Sequence, residues 1–284
     1  MRELLFNNVT IIGVGLIGAS CALALKGRGL CGTVHGYSRK EANLKQAKEL
    51  GIINEYSLQI RKACEDADLV ILSTPVGLFK NIVQEIRDVL KKNTLVTDVG
   101  SVKGPLVNVL EELMPEGVHY IGSHPIAGSE RSGILSARAD LFDGVRCIIT
   151  PTARSEKSAV LQITKLWESC GGKVEIMDPI LHDEIYAAVS HLPHLIAYAL
   201  VNTVDDINAE YLNYAGSGFK DTTRIALSSP EMWRDISLLN GNNLIDLIER
   251  FGNNLNIIAS LIRNAEAAGL EHEFSKARKL REKC

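Results

Sequence analysis

Through residues 1–177, short runs of apolar and β-branched residues alternate with stretches whose apolar positions recur every three or four residues. The runs are VTIIGV (9–14), TVHGY (33–37), DLVILST (68–74), TLVTDV (94–99), VHYIG (118–122) and VRCIIT (145–150). Most are continuously apolar, the pattern of parallel strands covered by helices on both faces. Helical texture lies between them, as in LIGASCALALKGRG and VGLFKNIVQEIRDVL, and KLWESCGGKVEIM (165–177) adds one more helix–strand step. This alternation predicts βαβ units with right-handed crossovers, a doubly wound α/β domain over residues 1–177.

After Met177 the texture changes, and residues 178–284 carry helical periodicity without a convincing strand. Asp178-Pro179 is a helix-start signal, an N-cap acid followed by a proline that needs no amide hydrogen in the first turn. PEMWRDISLLNGNNLIDLIERFGNNLNIIASLIRNAEAAGL reads as further long amphipathic helices. Wide apolar helix faces beside a compact sheet domain predict burial against a second copy, so residues 178–284 are expected to be an all-α substrate and dimerisation domain of a homodimer. Self-contained packing of these helices is the simpler alternative.

Composition narrows the function classes. The 284 residues are 46% hydrophobic and 23% charged with net charge −3, and no basic stripe appears, which argues against nucleic acid as a partner. A small anionic substrate stays open, because it needs a local arginine and not a positive surface. The six cysteines are scattered without a C-x-x-C pair, which suits a reducing cytoplasm and fits neither a zinc ribbon nor a disulfide framework. Neither a signal peptide nor a membrane span is expected.

TIIGVGLIGAS places Gly13, Gly15 and Gly18 in G-x-G-x-x-G spacing. The motif alone is weak, but here an apolar strand precedes it and an Ala/Leu-rich helix follows, which makes the first domain Rossmann-type. The pyrophosphate of a dinucleotide would lie on the helix N-terminus at Gly15, Leu16 and Ile17, where unpaired N–H groups and the helix dipole favour an anion. An acid at the end of the second strand would hold a bare adenine ribose, whereas this chain has Ser38 followed by Arg39 and Lys40. A hydroxyl with two cations suits a 2′-phosphate, so the cofactor is expected to be NAD(P), with a modest preference for NADP. The alternative is a solvated basic turn capping the next helix. Ser73, Thr74 and Pro75, closing another strand run, complete the expected cofactor contacts.

Three polar clusters remain: TDVGSVKG (97–104), YIGSHPIAGSERSG (120–133) and HDEIYAAVSHLPH (182–194). The first two follow strands, hence lie at the carboxyl edge of the sheet, where α/β folds bind ligands. His124 opens what reads as a loop after Gly122, a place equally suited to an ordinary turn residue. On an unbroken helix Asp183, Ser190 and His194 agree in direction to within about 40° and share a face. Pro193 is expected to disturb that helix and free a backbone carbonyl. His191 and His194 have H-x-x-H spacing, but no third ligand is evident and no metal is expected.

GVGLIG, TDVGSVKG, GSHPIAGSE, SHLPH and GFKDTTRI…MWRD, in this order, resemble the prephenate dehydrogenase family of tyrosine biosynthesis. The resemblance spans nearly the whole chain and implies a stand-alone dehydrogenase that oxidatively decarboxylates prephenate to 4-hydroxyphenylpyruvate. It implies His124 as proton acceptor at the ring hydroxyl and Ser101 beside it and the nicotinamide. It further implies Arg224 as the carboxylate-binding arginine, with His194, Ser190, Glu130 and Ser129 at the substrate. Asp183, Asp221 and Trp233 are implied as supporting positions. The chain departs from the family pattern at Ser38, where an acid is common, and at Ser217, in a stretch commonly richer in glycine.

Three other readings remain open on sequence grounds. Arogenate dehydrogenase performs the same chemistry on an amine-bearing side chain, and Glu130 lies where that difference could be sensed. A β-hydroxyacid dehydrogenase shares the two-domain plan but relies on a catalytic lysine where AAVSHLPHLIA offers histidines. A non-catalytic cofactor sensor would need neither His124 nor Arg224.

Overall fold

The computed structural model describes residues 4–128 and 133–283. Ser129 and Glu130, expected at the substrate, lie outside the described residues. The first half runs β1 (Phe6–Ile12), α1 (Leu16–Gly27), β2 (Cys31–Tyr37), α2 (Glu41–Glu49), β3 (Glu55–Ser57), α3 (Ile60–Cys64) and β4 (Leu69–Leu72). It continues through α4 (Phe79–Ile86), β5 (Leu95–Asp98), α5 (Gly104–Leu113), β6 (His119–Pro125), β7 (Arg146–Thr150), α6 (Lys157–Ser169) and β8 (Lys173–Ile176). One sheet results, in the order β3-β2-β1-β4-β5-β6-β7-β8.

The strands from β3 to β6 pair in parallel, as their continuous apolar runs predict. All four residues of β4 are buried, and each such Leu or Ile contributes about 1.5–3 kcal/mol on leaving water. One buried cluster joins the sheet to α1, α2 and α6; the other joins its opposite face to α3, α4 and α5 and to Trp233 and Ile236. The strand order reverses between β1 and β4, opening a crevice at their carboxyl ends.

Two expectations about the sheet are corrected. β7 runs antiparallel to β6, with Gly122 opposite Thr150 and Pro125 opposite Cys147. That pairing carries β6 beyond Gly122, so His124 is a strand residue and not the opening of a loop. The short edge strand β3, Glu55-Tyr56-Ser57, has no apolar run that could announce it.

Beyond β8 every described element is helical: α7 (Pro179–Tyr186), α8 (Leu192–Asn208), α9 (Ser217–Thr223), α10 (Pro230–Leu239), α11 (Gly241–Arg263) and α12 (Ala267–Arg281). Asp178 caps α7 as expected, its carboxylate accepting from the amides of Ile180 at 2.8 Å and Leu181 at 3.1 Å. Between α7 and α8 the chain makes a wide π turn over Ala187–His191. Pro193 follows at once, and a proline without an amide hydrogen fits best where the hydrogen-bond ladder is already broken. Packing divides the chain into two compact units, Met1–Asn240 and Gly241–Cys284. The second is the α11–α12 hairpin, in which Leu244 is the buried residue of α11 and no described residue of α12 is buried.

Candidate active site

The glycine turn follows β1 directly. Gly13 adopts φ +98°, and a Cβ there would stand 2.4 Å from the Ser73 carbonyl oxygen, so the crossing with the β4 end requires glycine. Gly15, by contrast, faces open space, and the first turn of α1 has no side-chain cap. Leu16 and Ile17 begin that helix, leaving its N–H groups open to an anion. A cavity of about 350 Å³ opens beside this turn, walled by Gly13, Gly15, Ser38, Arg39 and the run Ser73-Thr74-Pro75. Shape and donors fit a dinucleotide with its pyrophosphate at Gly15. Lys40 is not in the wall: it takes the N-cap position of α2, its amide 3.4 Å from the Ser38 hydroxyl. Asn43 lines the cavity in its place.

Farther along the same sheet edge, three side chains stand in line. Asp183 accepts from the Lys103 amide at 2.9 Å and the Gly104 amide at 2.7 Å, so its carboxylate caps the positive end of α5. The same carboxylate lies 2.8 Å from His182 Nδ1, and His182 Nε2 lies 2.9 Å from His124 Nδ1. An ionised carboxylate only accepts, so His182 donates from Nδ1 and accepts at Nε2, and His124 must donate from Nδ1. His124 Nε2 is thereby left with its lone pair. Burial, followed by the charges of His182, Lys103 and His191, pulls the His124 pKa well below the ordinary histidine value. Burial also lowers that of His182, against the opposing pull of Asp183. Both imidazoles are neutral near pH 7, the state a proton acceptor needs.

A second buried group fixes the strand beneath. Asp98, at the end of β5, accepts from Tyr120 Oη at 2.7 Å, the Ser123 amide at 3.1 Å and the Gly100 amide at 2.9 Å. It also pairs with Lys103 Nζ, and neither side chain is exposed to solvent. Removing one partner of such a pair costs about 3–5 kcal/mol, since the other charge stays buried. Asp98 therefore anchors the residue before His124, while Lys103 anchors the start of α5 that holds Asp183. Tyr186 closes the other side of His124, ring edge to face at 5.1 Å.

The helical residues divide into two groups. His194 donates from Nδ1 to the Ser190 carbonyl at 2.8 Å and stacks on Trp233 at 3.7 Å between ring centroids. Burial lowers the pKa of His194, and the nearby charge of Arg224 lowers it further. Arg224 itself lies in the turn after α9. Asp183 does not share this face, contrary to the expectation drawn from helical spacing. The π turn lies between them: the Asp183 carboxylate faces the start of α5, while His194 meets the Ser190 carbonyl and Trp233. Asp221 is exposed on α9 and joins none of these contacts.

Ser101 is half-buried and makes no hydrogen bond to His124. His191 is fully buried, accepts from Asn240 Nδ2 at 3.1 Å, and is held down to about 4, chiefly by burial. Asn240 also donates to the Asp183 carbonyl at 2.9 Å, tying the His191 ring to the base of the relay. No group of three or more acidic, His or Cys ligands among the described residues could hold a metal. Sequence reasoning missed His182, Tyr186, Asp98, Lys103 and Asn240. All but Asn240 lie in clusters already singled out, Asp98 and Lys103 in TDVGSVKG and His182 and Tyr186 in HDEIYAAVSHLPH.

Comparisons with known proteins show the family and the fold. The family model described as the prephenate dehydrogenase nucleotide-binding domain matches residues 21–176, and the one described as the prephenate dehydrogenase dimerization domain matches residues 178–276. A cyclohexadienyl dehydrogenase of Zymomonas mobilis is 33% identical over 280 residues, covering 97% of this chain and 95% of that one. The crystal structure of prephenate dehydrogenase from A. aeolicus, in complex with hydroxyphenyl propionate and NAD+, superposes with a TM-score of 0.92 at 40% identity, covering 99% of each chain. Synechocystis arogenate dehydrogenase superposes with a TM-score of 0.79 at 28% identity, covering 97% of this chain and 99% of that one. The chain belongs to the prephenate dehydrogenase family of oxidoreductases.

Proposed function

We propose that this protein oxidatively decarboxylates prephenate to 4-hydroxyphenylpyruvate, with residues 1–177 binding NAD(P) and residues 178–284 binding substrate and a second copy. The observation that carries the reading is the Asp183–His182–His124 line, which presents a neutral imidazole lone pair at the sheet's carboxyl edge. The nicotinamide, when bound, supplies the hydride acceptor. His124 Nε2 accepts the proton of the ring hydroxyl as hydride departs from the carbinol carbon. The bond to the ring carboxylate then breaks, carbon dioxide leaves, and its electron pair completes the aromatic ring. The imidazolium returns its proton to the phenol oxygen. His182 and Asp183 hold His124 in the accepting tautomer and stabilise its transient charge, the part a carboxylate plays behind any histidine base. The direct test is the absorbance of reduced nicotinamide with prephenate or arogenate and each oxidised cofactor. Prephenate should give one reduced cofactor per carbon dioxide. A tenfold faster rate with arogenate moves the assignment to that substrate, and no reduction with either refutes it.

Arg224 supplies the cation for a substrate carboxylate, assisted by His194 and with Ser190 at the same site. Arg224→Ala should raise KM for prephenate roughly 10- to 100-fold, the loss of a charge-assisted pair, with a smaller effect on kcat. A KM within twofold of wild type would make Arg224 structural.

The dimer rests on apolar surface. α11 exposes Ile245, Ile248, Leu255, Ile257 and Ile262, and a hairpin with so little buried has no core of its own. A second copy packed through the helical domain covers this surface. No described helix is long and apolar enough to cross a membrane, and the five described cysteines are free, as in the cytoplasm we assign.

For the cofactor we retain a preference for NADP. Arg39 lines the cavity and makes no ion pair or hydrogen bond among the described residues, so a 2′-phosphate would be its partner. With Lys40 outside the wall, one screened contact of about 1 kcal/mol corresponds to a roughly fivefold preference. Ser38→Asp with Arg39→Asn should reverse the ratio of kcat/KM for the two cofactors and leave kcat nearly unchanged. Wild type preferring NAD tenfold at low and high salt would show Arg39 to be a solvated charge.

A further inference from the structure

The cavity beside the glycine turn has a far end that the phosphate and ribose contacts leave unused. Gly13 and Gly15 mark the pyrophosphate, and Ser38 and Arg39, just past β2, mark the adenine ribose. The base attached to that ribose must lie beyond it, away from the glycines. The same cavity is also lined by Ile60, Leu78 and Ile82, apolar surfaces suited to the faces of a flat ring. The lining includes an exposed carboxylate, Glu85, in the last turn of α4.

Glu85 is set up to act on a ligand. Arg61 Nη1 donates to the Glu85 main-chain carbonyl at 2.7 Å, which fixes its backbone against α3. Its carboxylate makes neither hydrogen bond nor ion pair among the described residues. Tyr37, the last residue of β2, lines the same cavity, and its pKa is raised by burial and then by the negative charge of Glu85. Resting on the cofactor reading given above, we infer that Glu85 is the base-reading residue of the cofactor site, accepting a hydrogen bond from the exocyclic amine of adenine.

The chemistry is selective. An ionised carboxylate only accepts, and the exocyclic amine is the donor on the exposed edge of adenine. Hypoxanthine replaces that amine with a carbonyl oxygen, so the same position would set two acceptors against each other. Glutamine can turn its amide and donate, which makes Glu85→Gln the informative change.

The test is equilibrium binding, by calorimetry without substrate, of the adenine and hypoxanthine forms of the nicotinamide dinucleotide. Wild type should bind the adenine form about tenfold more tightly, a charge-assisted contact discounted for solvent. Glu85→Gln should bring the two within about twofold, mainly by improving the hypoxanthine form. Equal affinity of wild type for both forms, with binding intact, overturns the role of Glu85 alone. Discrimination unchanged in Glu85→Gln overturns it as well. Failure of both forms to bind at any concentration overturns the cofactor reading, and this inference with it.

Discussion

His124→Ala should lower kcat by about 10²–10⁴-fold while leaving cofactor affinity unchanged, the range expected when a positioned general base is removed. The effect should fall on kcat because His124 grips no carboxylate; its contribution arises as the hydroxyl proton moves. Its side chain contacts His182 and Tyr186 within the buried part of the site, so the variant leaves a small cavity that lowers stability modestly. Single-turnover measurement at saturating prephenate separates the chemical step from binding. A rate within threefold of wild type would return His124 to an ordinary strand residue.

The second large effect belongs to a residue remote from the reacting atoms. Asp183→Asn should lower kcat by about 10²–10³-fold and leave KM for prephenate within about threefold. Asparagine keeps a single acceptor oxygen: with it on the Gly104 amide, its NH₂ takes the place of the oxygen that faced both His182 Nδ1 and the Lys103 amide, and the Lys103 amide loses its acceptor. His182 Nδ1 must then accept, placing the His182 proton on Nε2 and forcing His124 to accept at Nδ1. The proton of His124 then occupies Nε2, where the lone pair is needed, so the wrong tautomer defeats the base. Loss of stability without this split between kcat and KM would mark Asp183 as a helix cap alone.

The sequence carried the fold in those places where local chemistry decides structure. The buried runs of β1, β4 and β5, the glycine turn and the Asp178-Pro179 cap are each specified by residues within a few positions of one another. The direction of β7 is different, because RCIIT has the same apolar character whichever way it runs. Its orientation depends on the long connection after β6, and with it the strand status of His124. The relay was illegible for a related reason. His182 acquires its part only when α7 packs on the start of α5, a contact between residues about eighty positions apart. Asp98 and Lys103 stood in a cluster already placed at the carboxyl edge of the sheet, but their pairing, with neither side chain exposed, depends on the closed sheet and not on their spacing. The shared face drawn for Asp183 and His194 failed because helical phase cannot be carried across a π turn.

The central claim is that a neutral histidine, poised by a buried partner, takes the hydroxyl proton, and a pH–rate profile tests it most directly. Burial holds the His124–His182 pair below the ordinary value, so acidity must reach well under pH 6.5 before the base is protonated. kcat/KM for prephenate should therefore stay level from about pH 8 to below about pH 6.5 and only then fall, about tenfold per pH unit. In His124→Gln the residual rate should be low and lack that acidic limb. An acidic limb centred above pH 7, or one that survives unchanged in the variant, would contradict the account.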